Sequence, residues 1–294
     1  MSSYGTEDRK KTTMEVKETT AKSILVASNL PDTDYVVNPY TGCVFGCAYC
    51  YASFMGRFVG EPIGNWGNYL YVKVNAPEVL DKELAALPEQ KRTSRVLLSS
   101  VTDAYQYAER KYLVTRRVLE TFVRHDYPGL ISILTKSPLV TRDIDLLTQL
   151  RTKEVGMTIT TTDDRTSREL EVRAPLASAR LDTLRQLHAA GLPTYAFIGP
   201  LLPHFFDRPD LLEELFAAVA ETGVTSVFVE HINLKPYIRN RLVSILSTDR
   251  PDAAEIYSPE REKAARTELD TQIESLVARH GLSLRLGRVL THGE

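Results

Sequence analysis

The sequence predicts an α/β protein in which six βα-type units lie along a parallel sheet and a helical C-terminal appendage follows. Three observations lead there. From about residue 93, short apolar runs alternate with amphipathic stretches, the pattern of parallel strands covered by helices. The connections are short, and no Gly/Ser-rich linker interrupts them, so one domain is the economical reading. A chain of 294 residues is also long enough to bury the large core that such a domain needs.

The first strand is "YVVNP" (35–39), just ahead of the cysteines. "RVLLSS" (95–100) is the second, and the helix after it carries Val114, Val118 and Phe122 on one face. "LISILTK" (130–136) is followed by a helix around "RDIDLLTQLR". After "EVGMTITTT" (154–162) a helix runs from about Pro175 to Ala190, with Leu181, Leu184 and Leu187 buried and Gly191 as its stop. "PTYAFIGPLLP" (193–203) leads to a helix with Leu211, Leu215 and Val219 that ends at Gly223. "TSVFVEHINL" (225–234) closes the series, and "PEREKAARTELDTQIESLVARH" forms a surface helix beyond it. The expected division is a flexible polar N-terminal arm (1–30), a core domain (31–236) and a C-terminal helical extension (237–294).

Charge restricts the partners. Lys and Arg number 36 against 38 Asp and Glu, a net charge of −2, which disfavours DNA because phosphate contacts dominate affinity there. A local basic patch remains compatible with that balance. No apolar run approaches the length of a membrane span, and the N-terminus lacks an apolar stretch of signal-peptide type, so a cytoplasmic protein is expected.

All three cysteines, Cys43, Cys47 and Cys50, fall within "NPYTGCVFGCAYCY" (38–51). An odd count in a cytoplasmic chain does not suit a disulfide framework. A structural zinc site would need a fourth ligand from a distant His or carboxylate, and three structural thiols at this spacing would be a coincidence. The remaining option is a [4Fe–4S] cluster, normally held by four thiolates. Three thiolates leave one iron open, as catalytic metal sites do, for a substrate or cofactor. Gly42 and Gly46 permit the tight backbone such a loop requires.

C-x3-C-x2-C with Tyr49 before the last cysteine closely resembles the motif of the radical S-adenosylmethionine (SAM) superfamily. The resemblance implies an open (βα)6 partial TIM barrel with the cluster at the C-terminal ends of the strands. It also implies SAM chelated to the open iron, an external one-electron donor of flavodoxin or ferredoxin type, and reductive cleavage to a 5′-deoxyadenosyl radical that abstracts a hydrogen atom. Further stretches, among them "VKVNAPEVLDKEL" (72–84), "TDAYQYAERKYLVTRRVLE" (102–120), "LTKSPLVTRDIDLL" (134–147) and 158–194, are similar to the spore photoproduct lyase and DNA repair photolyase-like branch.

That resemblance assigns roles to strand ends. Tyr49 sits over the cofactor or cluster, and Lys136 pairs with the SAM carboxylate unless it is simply a solvated lysine. Ser99, Ser100, Thr102 and Asp103 hydrogen-bond the SAM amino group or ribose. Thr160 and Thr162 end the next strand, where β-branched residues also simply fit. Glu171 and Arg173 form either a cofactor-facing pair or an ordinary salt bridge. The branch's hydrogen-atom-donating cysteine is replaced here by Ser100, a poor donor, so either Tyr105, Tyr107, Tyr195 or Tyr237 relays the hydrogen atom instead, or the product radical ends in a carbon–carbon bond, an elimination or a rearrangement. The last strand and its continuation offer Glu230, His231, Lys235, Tyr237 and Arg239, with Glu230 or His231 orienting substrate or moving a proton. His204 has a similar standing, and the Gly-rich loop around Trp66 is expected to cover the cluster or substrate. The expected substrate is a small molecule, nucleoside or peptide. The alternatives are a DNA lyase for pyrimidine photoproducts and cleavage of SAM to a 3-amino-3-carboxypropyl radical.

Overall fold

The structure is a computed structural model that describes residues 14–205, 208–248 and 250–291. In chain order the strands are β1 (Glu15–Thr19), β2 (Leu25–Ala27), β3 (Tyr35–Val37), β4 (Tyr40–Thr41), β5 (Tyr69–Lys73), β6 (Val96–Leu98), β7 (Leu130–Thr135), β8 (Thr152–Ile159), β9 (Thr194–Leu201), β10 (Ser226–His231) and β11 (Ser283–Leu284). The α-helices are α1 (Ala76–Ala85), α2 (Glu109–Tyr112), α3 (Val114–Arg124), α4 (Ile144–Gln149), α5 (Asp164–Leu170), α6 (Ala177–Ala189), α7 (Pro209–Ala220), α8 (Pro236–Leu246), α9 (Ala253–Ile256) and α10 (Pro259–Arg279).

The six strands expected from sequence, β3, β6, β7, β8, β9 and β10, are adjacent and parallel in one sheet of order β11-β10-β9-β8-β7-β6-β3-β2. Strands β2 and β11 form its two edges, so the sheet stays open, as a partial barrel requires. Helix α3 shows why the sequence pattern works. Val114, Val118, Leu119 and Phe122 are buried on one face, while Arg124 at the last turn is favourably placed for the helix dipole.

Side-chain alternation along each strand divides a helix-covered face from a cavity-facing one. On β7, Ile131 and Ile133 are buried under the helices, whereas Ser132, Leu134 and the following Lys136 line the cavity. On β10, Val227, Val229 and His231 are buried, and Phe228 and Glu230 line the cavity.

Two expectations at the chain ends are corrected. Residues 15–27, placed in a flexible arm, are held in structure: β1 pairs with β5, and β2 pairs with β3. Asn75 exchanges two side-chain hydrogen bonds with the Ala21 backbone, at 2.7 and 2.9 Å, and Glu83 accepts from the amides of Ile24 and Leu25. Residues 1–13 of that arm lie outside the described residues. The C-terminal extension is helical through α10, but the segment after it returns to the sheet. There β11 pairs with β10, and Leu290 exchanges backbone hydrogen bonds with β10 through the Val229 carbonyl and the His231 amide. No helix among the described residues is long and apolar enough to cross a membrane.

Candidate active site

A cavity of about 370 Å³ occupies the barrel interior. Cys43, Cys47 and Cys50 line it together with Tyr49, Ser99, Ser100, Thr102, Asp103, Lys136 and Glu230. The sequence-predicted residues at the C-terminal ends of β6, β7 and β10 thus converge on the cysteine loop.

Several independent ties shape the loop. Gly42 and Gly46 adopt left-handed backbone (φ +91° and +63°), and a Cβ on Gly42 would meet the Tyr69 carbonyl at 2.6 Å. The segment after α5 runs alongside the loop: Ala48 donates to the Leu170 carbonyl at 2.8 Å, and the Arg173 amide donates to the Phe45 carbonyl at 3.1 Å. Beneath Tyr49, its hydroxyl donates to Glu171, and Glu171 is in turn paired with Arg180. Thr160 joins this network, donating within reach of Glu171 (3.2 Å) and the Gly199 carbonyl (3.1 Å).

The thiols suit a cluster by their chemistry and surroundings. Burial pushes all three above the ordinary thiol range, so thiolates here need a compensating cation. Part of the compensation is built in. Lys136 favours the Cys47 and Cys50 thiolates, backbone amides of Ala52 and Ser53 favour that of Cys50, and the Phe45 amide favours that of Cys43. On the same cavity wall, Trp66 Nε1 and Ser99 Oγ are buried without a hydrogen-bond partner. Ser99 also holds a left-handed backbone (φ +78°), a strained conformation of the kind that collects at ligand sites.

Other predicted residues have different tasks. Asp103 lines the cavity, but its carboxylate already accepts from the Tyr105 amide (2.8 Å), Thr135 Oγ1 (2.7 Å) and the Lys136 amide (2.8 Å), tying the β6 turn to the end of β7. Burial raises its pKa, and these bonds oppose the rise. Thr102 donates to the Gly42 carbonyl at 2.5 Å, and Ser100 accepts from Asn38 at 3.1 Å. Arg173 does not pair with Glu171. Its guanidinium donates to the Gly67 carbonyl at 2.5 Å and to Asn68 at 3.1 Å, bracing the two loops.

Four further expectations are corrected. Tyr105 is fully buried in the core outside the cavity, with its hydroxyl pushed well up by burial. His231 faces α10, where its Nε2 lies 2.7 Å from Asp270, because its neighbour Glu230 takes the cavity side of the strand. Tyr237 donates to the Tyr51 carbonyl at 3.2 Å and does not line the cavity. Thr160 lies under Tyr49 and does not line the cavity. Tyr107 is 70% exposed, Arg239 donates to the Tyr257 and Ala254 carbonyls, and Thr162 donates to Glu214. Lys235 is exposed. His204 is buried against Phe205 and held down to about 4, hence neutral.

Sequence reasoning missed the inner end of the cavity. Arg285, from the C-terminal segment, pairs with Glu154 (2.8 Å) and Asp32 (3.0 Å) and lies over the rings of Tyr195 and Phe228 at 5.0 and 4.7 Å. Of the four tyrosines named as hydrogen-atom relays, Tyr195 alone lines the cavity. The one available signal was the alternation in "SLRLGRVL" after Gly281, the mark of another short strand.

The comparisons agree with this geometry. Solved structures of spore photoproduct lyase, one complexed with dinucleoside spore photoproduct, share the fold at a TM-score of 0.66 and 15% identity, covering 92% of this chain and 81% of that one. SuiB of Streptococcus suis bound to S-adenosylmethionine matches at a TM-score of 0.52 and 10% identity, over 96% of this chain and 51% of that one. By sequence, the uncharacterized protein MJ0683 of Methanocaldococcus jannaschii is 31% identical over 83% of this chain and 87% of its own length. A radical SAM Nalpha-GlyT isomerase of Pseudomonas phage M6 is 28% identical over 66% of this chain and 39% of its own length. The family model of the Radical SAM superfamily matches residues 37–215, from the first barrel strand through the cysteine loop to α7. The chain therefore belongs to the radical SAM superfamily, whose enzymes use a [4Fe–4S] cluster and S-adenosylmethionine.

Proposed function

We propose that the chain reductively cleaves SAM and abstracts a hydrogen atom from a small-molecule, nucleoside or peptide substrate held in the barrel cavity. The observation that carries this reading is the shared cavity: the buried Cys43 and Cys47, the half-buried Cys50, Lys136 and Glu230 line the same space. Cys43, Cys47 and Cys50 would hold the cluster. When bound, the cluster supplies the electron that splits the SAM sulfonium into methionine and a 5′-deoxyadenosyl radical.

The chain's own residues bind, orient and exclude water. Lys136 extends over the Tyr49 ring, with Nζ 5.8 Å from its centroid, which supports a role in neutralising the SAM carboxylate. Ser99 Oγ and Trp66 Nε1 offer polar partners on the same wall. Phe197, Phe228 and Tyr195 give the inner half an apolar lining that keeps water from a reactive radical. Glu230 is pushed up to about 7 by burial, so it holds or releases a proton near neutrality beside the substrate. Tyr195 is the relay candidate for returning a hydrogen atom. The DNA-lyase alternative has less support, because the chain's net charge is −2 and the Arg285 guanidinium is already paired with two carboxylates.

The test is anaerobic loading with iron and sulfide, followed by incubation with SAM and a strong one-electron reductant. The wild type should release methionine, and Cys43→Ala, Cys47→Ala and Cys50→Ala should each abolish the release together with the cluster's visible absorbance. Undiminished cleavage by any of the three variants would contradict the proposal.

A further inference from the structure

Helix α8 contacts the cysteine loop, and none of its residues lines the cavity. Two residues one turn apart on its surface reach the loop backbone. The Tyr237 hydroxyl donates to the Tyr51 carbonyl at 3.2 Å, and the Arg241 guanidinium donates to the Ala48 carbonyl at 3.4 Å. Together these contacts fall on either side of Cys50 in the chain, at Ala48 and Tyr51.

Arg241 is partly buried, and among the described residues it forms no ion pair with a carboxylate. Its acidic neighbours are the Cys50 and Cys47 thiols and the Tyr237 phenol. Burial pulls the guanidinium below its ordinary value, so holding a cation there carries a desolvation cost. The other cations near the loop are accounted for differently. Arg180 is consumed by its pair with Glu171, Arg173 is exposed to solvent and donates to the Val44 and Gly67 carbonyls, and Lys136 stands on the cavity side. A partly buried arginine that touches the loop and has no carboxylate partner among the described residues suits a loop that carries negative charge when its thiols are ionised.

We infer that Arg241 is a positioning residue that acts through the cluster: it is a counter-charge to the cluster and raises its reduction potential. The inference rests on the reading that the three cysteines hold a [4Fe–4S] cluster. Reduction adds one electron from the external donor, breaks no bond and makes the site more negative by one charge. A fixed cation nearby therefore stabilises the reduced state more than the oxidised one. Solvent screens a partly buried charge less than an exposed one.

The test compares wild type, Arg241→Gln and Arg241→Lys, each loaded with iron and sulfide, by potentiometric titration followed by electron paramagnetic resonance of the reduced cluster. Arg241→Gln should bind the same amount of iron, with the reduction equilibrium weakened about tenfold, a shift of about 59 mV to more negative potential for one electron. Arg241→Lys, which keeps the charge, should stay close to wild type. An unchanged midpoint in Arg241→Gln at full iron content overturns the inference. Loss of iron from both variants overturns it too, since Arg241 would then be only a prop for the loop. Failure of the wild type to bind iron would instead remove the cluster reading itself.

Discussion

Tyr49, the residue immediately before the last cysteine of the motif, donates its hydroxyl hydrogen to Glu171, which is paired beneath it with Arg180. Glu171 and Arg180 are each only 1% exposed, so the aromatic ring at the cluster site stands on a buried ion pair. Ser167 completes the set, donating to Glu171 at 3.1 Å. Glu171→Gln should leave Arg180 as an uncompensated buried cation and cost about 3–5 kcal/mol of stability. Tyr49→Phe, which removes the hydroxyl's bonds to Glu171 and Thr160 but leaves the ion pair intact, should cost about 1–2 kcal/mol. Thermal unfolding of the two variants against wild type checks both the size and the order.

Asp103 links the turn after β6 to the end of β7 through three donors, two of them backbone amides. Asp103→Ala should strand those donors and cost about 2–4 kcal/mol. Because one of the amides is that of Lys136, the KM for SAM should rise more than kcat falls. An unchanged KM would mean that the turn does not position Lys136.

Glu230 gives a pH signature with a defined sign. Burial raises its pKa from 4.5 to about 7, against the pull of Lys136. Between those values the folded chain keeps a proton that the unfolded chain releases, so the stabilisation is complete at low pH and is lost as pH rises through about 7. Glu230→Gln should remove this slope and be the more stable protein at pH 8, by at most about 3 kcal/mol. Unfolding midpoints of the metal-free proteins across pH 4.5 to 8 decide it, and parallel curves would contradict the assignment.

His231 is the counter-case. Its ring contacts Asp270 on α10, away from the cavity. His231→Gln should cost about 1 kcal/mol of stability and leave SAM cleavage unchanged. A large loss of cleavage in a stably folded variant would return His231 to the site.

Much of this was legible in the sequence because it is local. The strand positions follow from apolar runs, and the cysteine chemistry follows from spacing within eight residues. Even the separation of Glu230 from His231 was available from period-two alternation, since adjacent residues of a regular strand point to opposite faces. The inner end of the site was not legible. Asp32 and Arg285 meet across 253 residues of sequence, and no local pattern says that the two ends of the chain close one cavity. Asp103 and Arg173 show a related limit: a charged residue near a strand end or loop is equally suited to binding a ligand or to holding backbone, and only hydrogen-bond geometry separates the two.

The most direct measurement is mass spectrometry of the nucleoside released when the iron-loaded protein is reduced with SAM in the absence of substrate. The expected product is 5′-deoxyadenosine, formed with methionine and absent from Cys47→Ala. Methylthioadenosine in its place would indicate cleavage to the 3-amino-3-carboxypropyl radical, and no SAM-derived nucleoside from a fully loaded, reduced protein would contradict the proposed activity altogether.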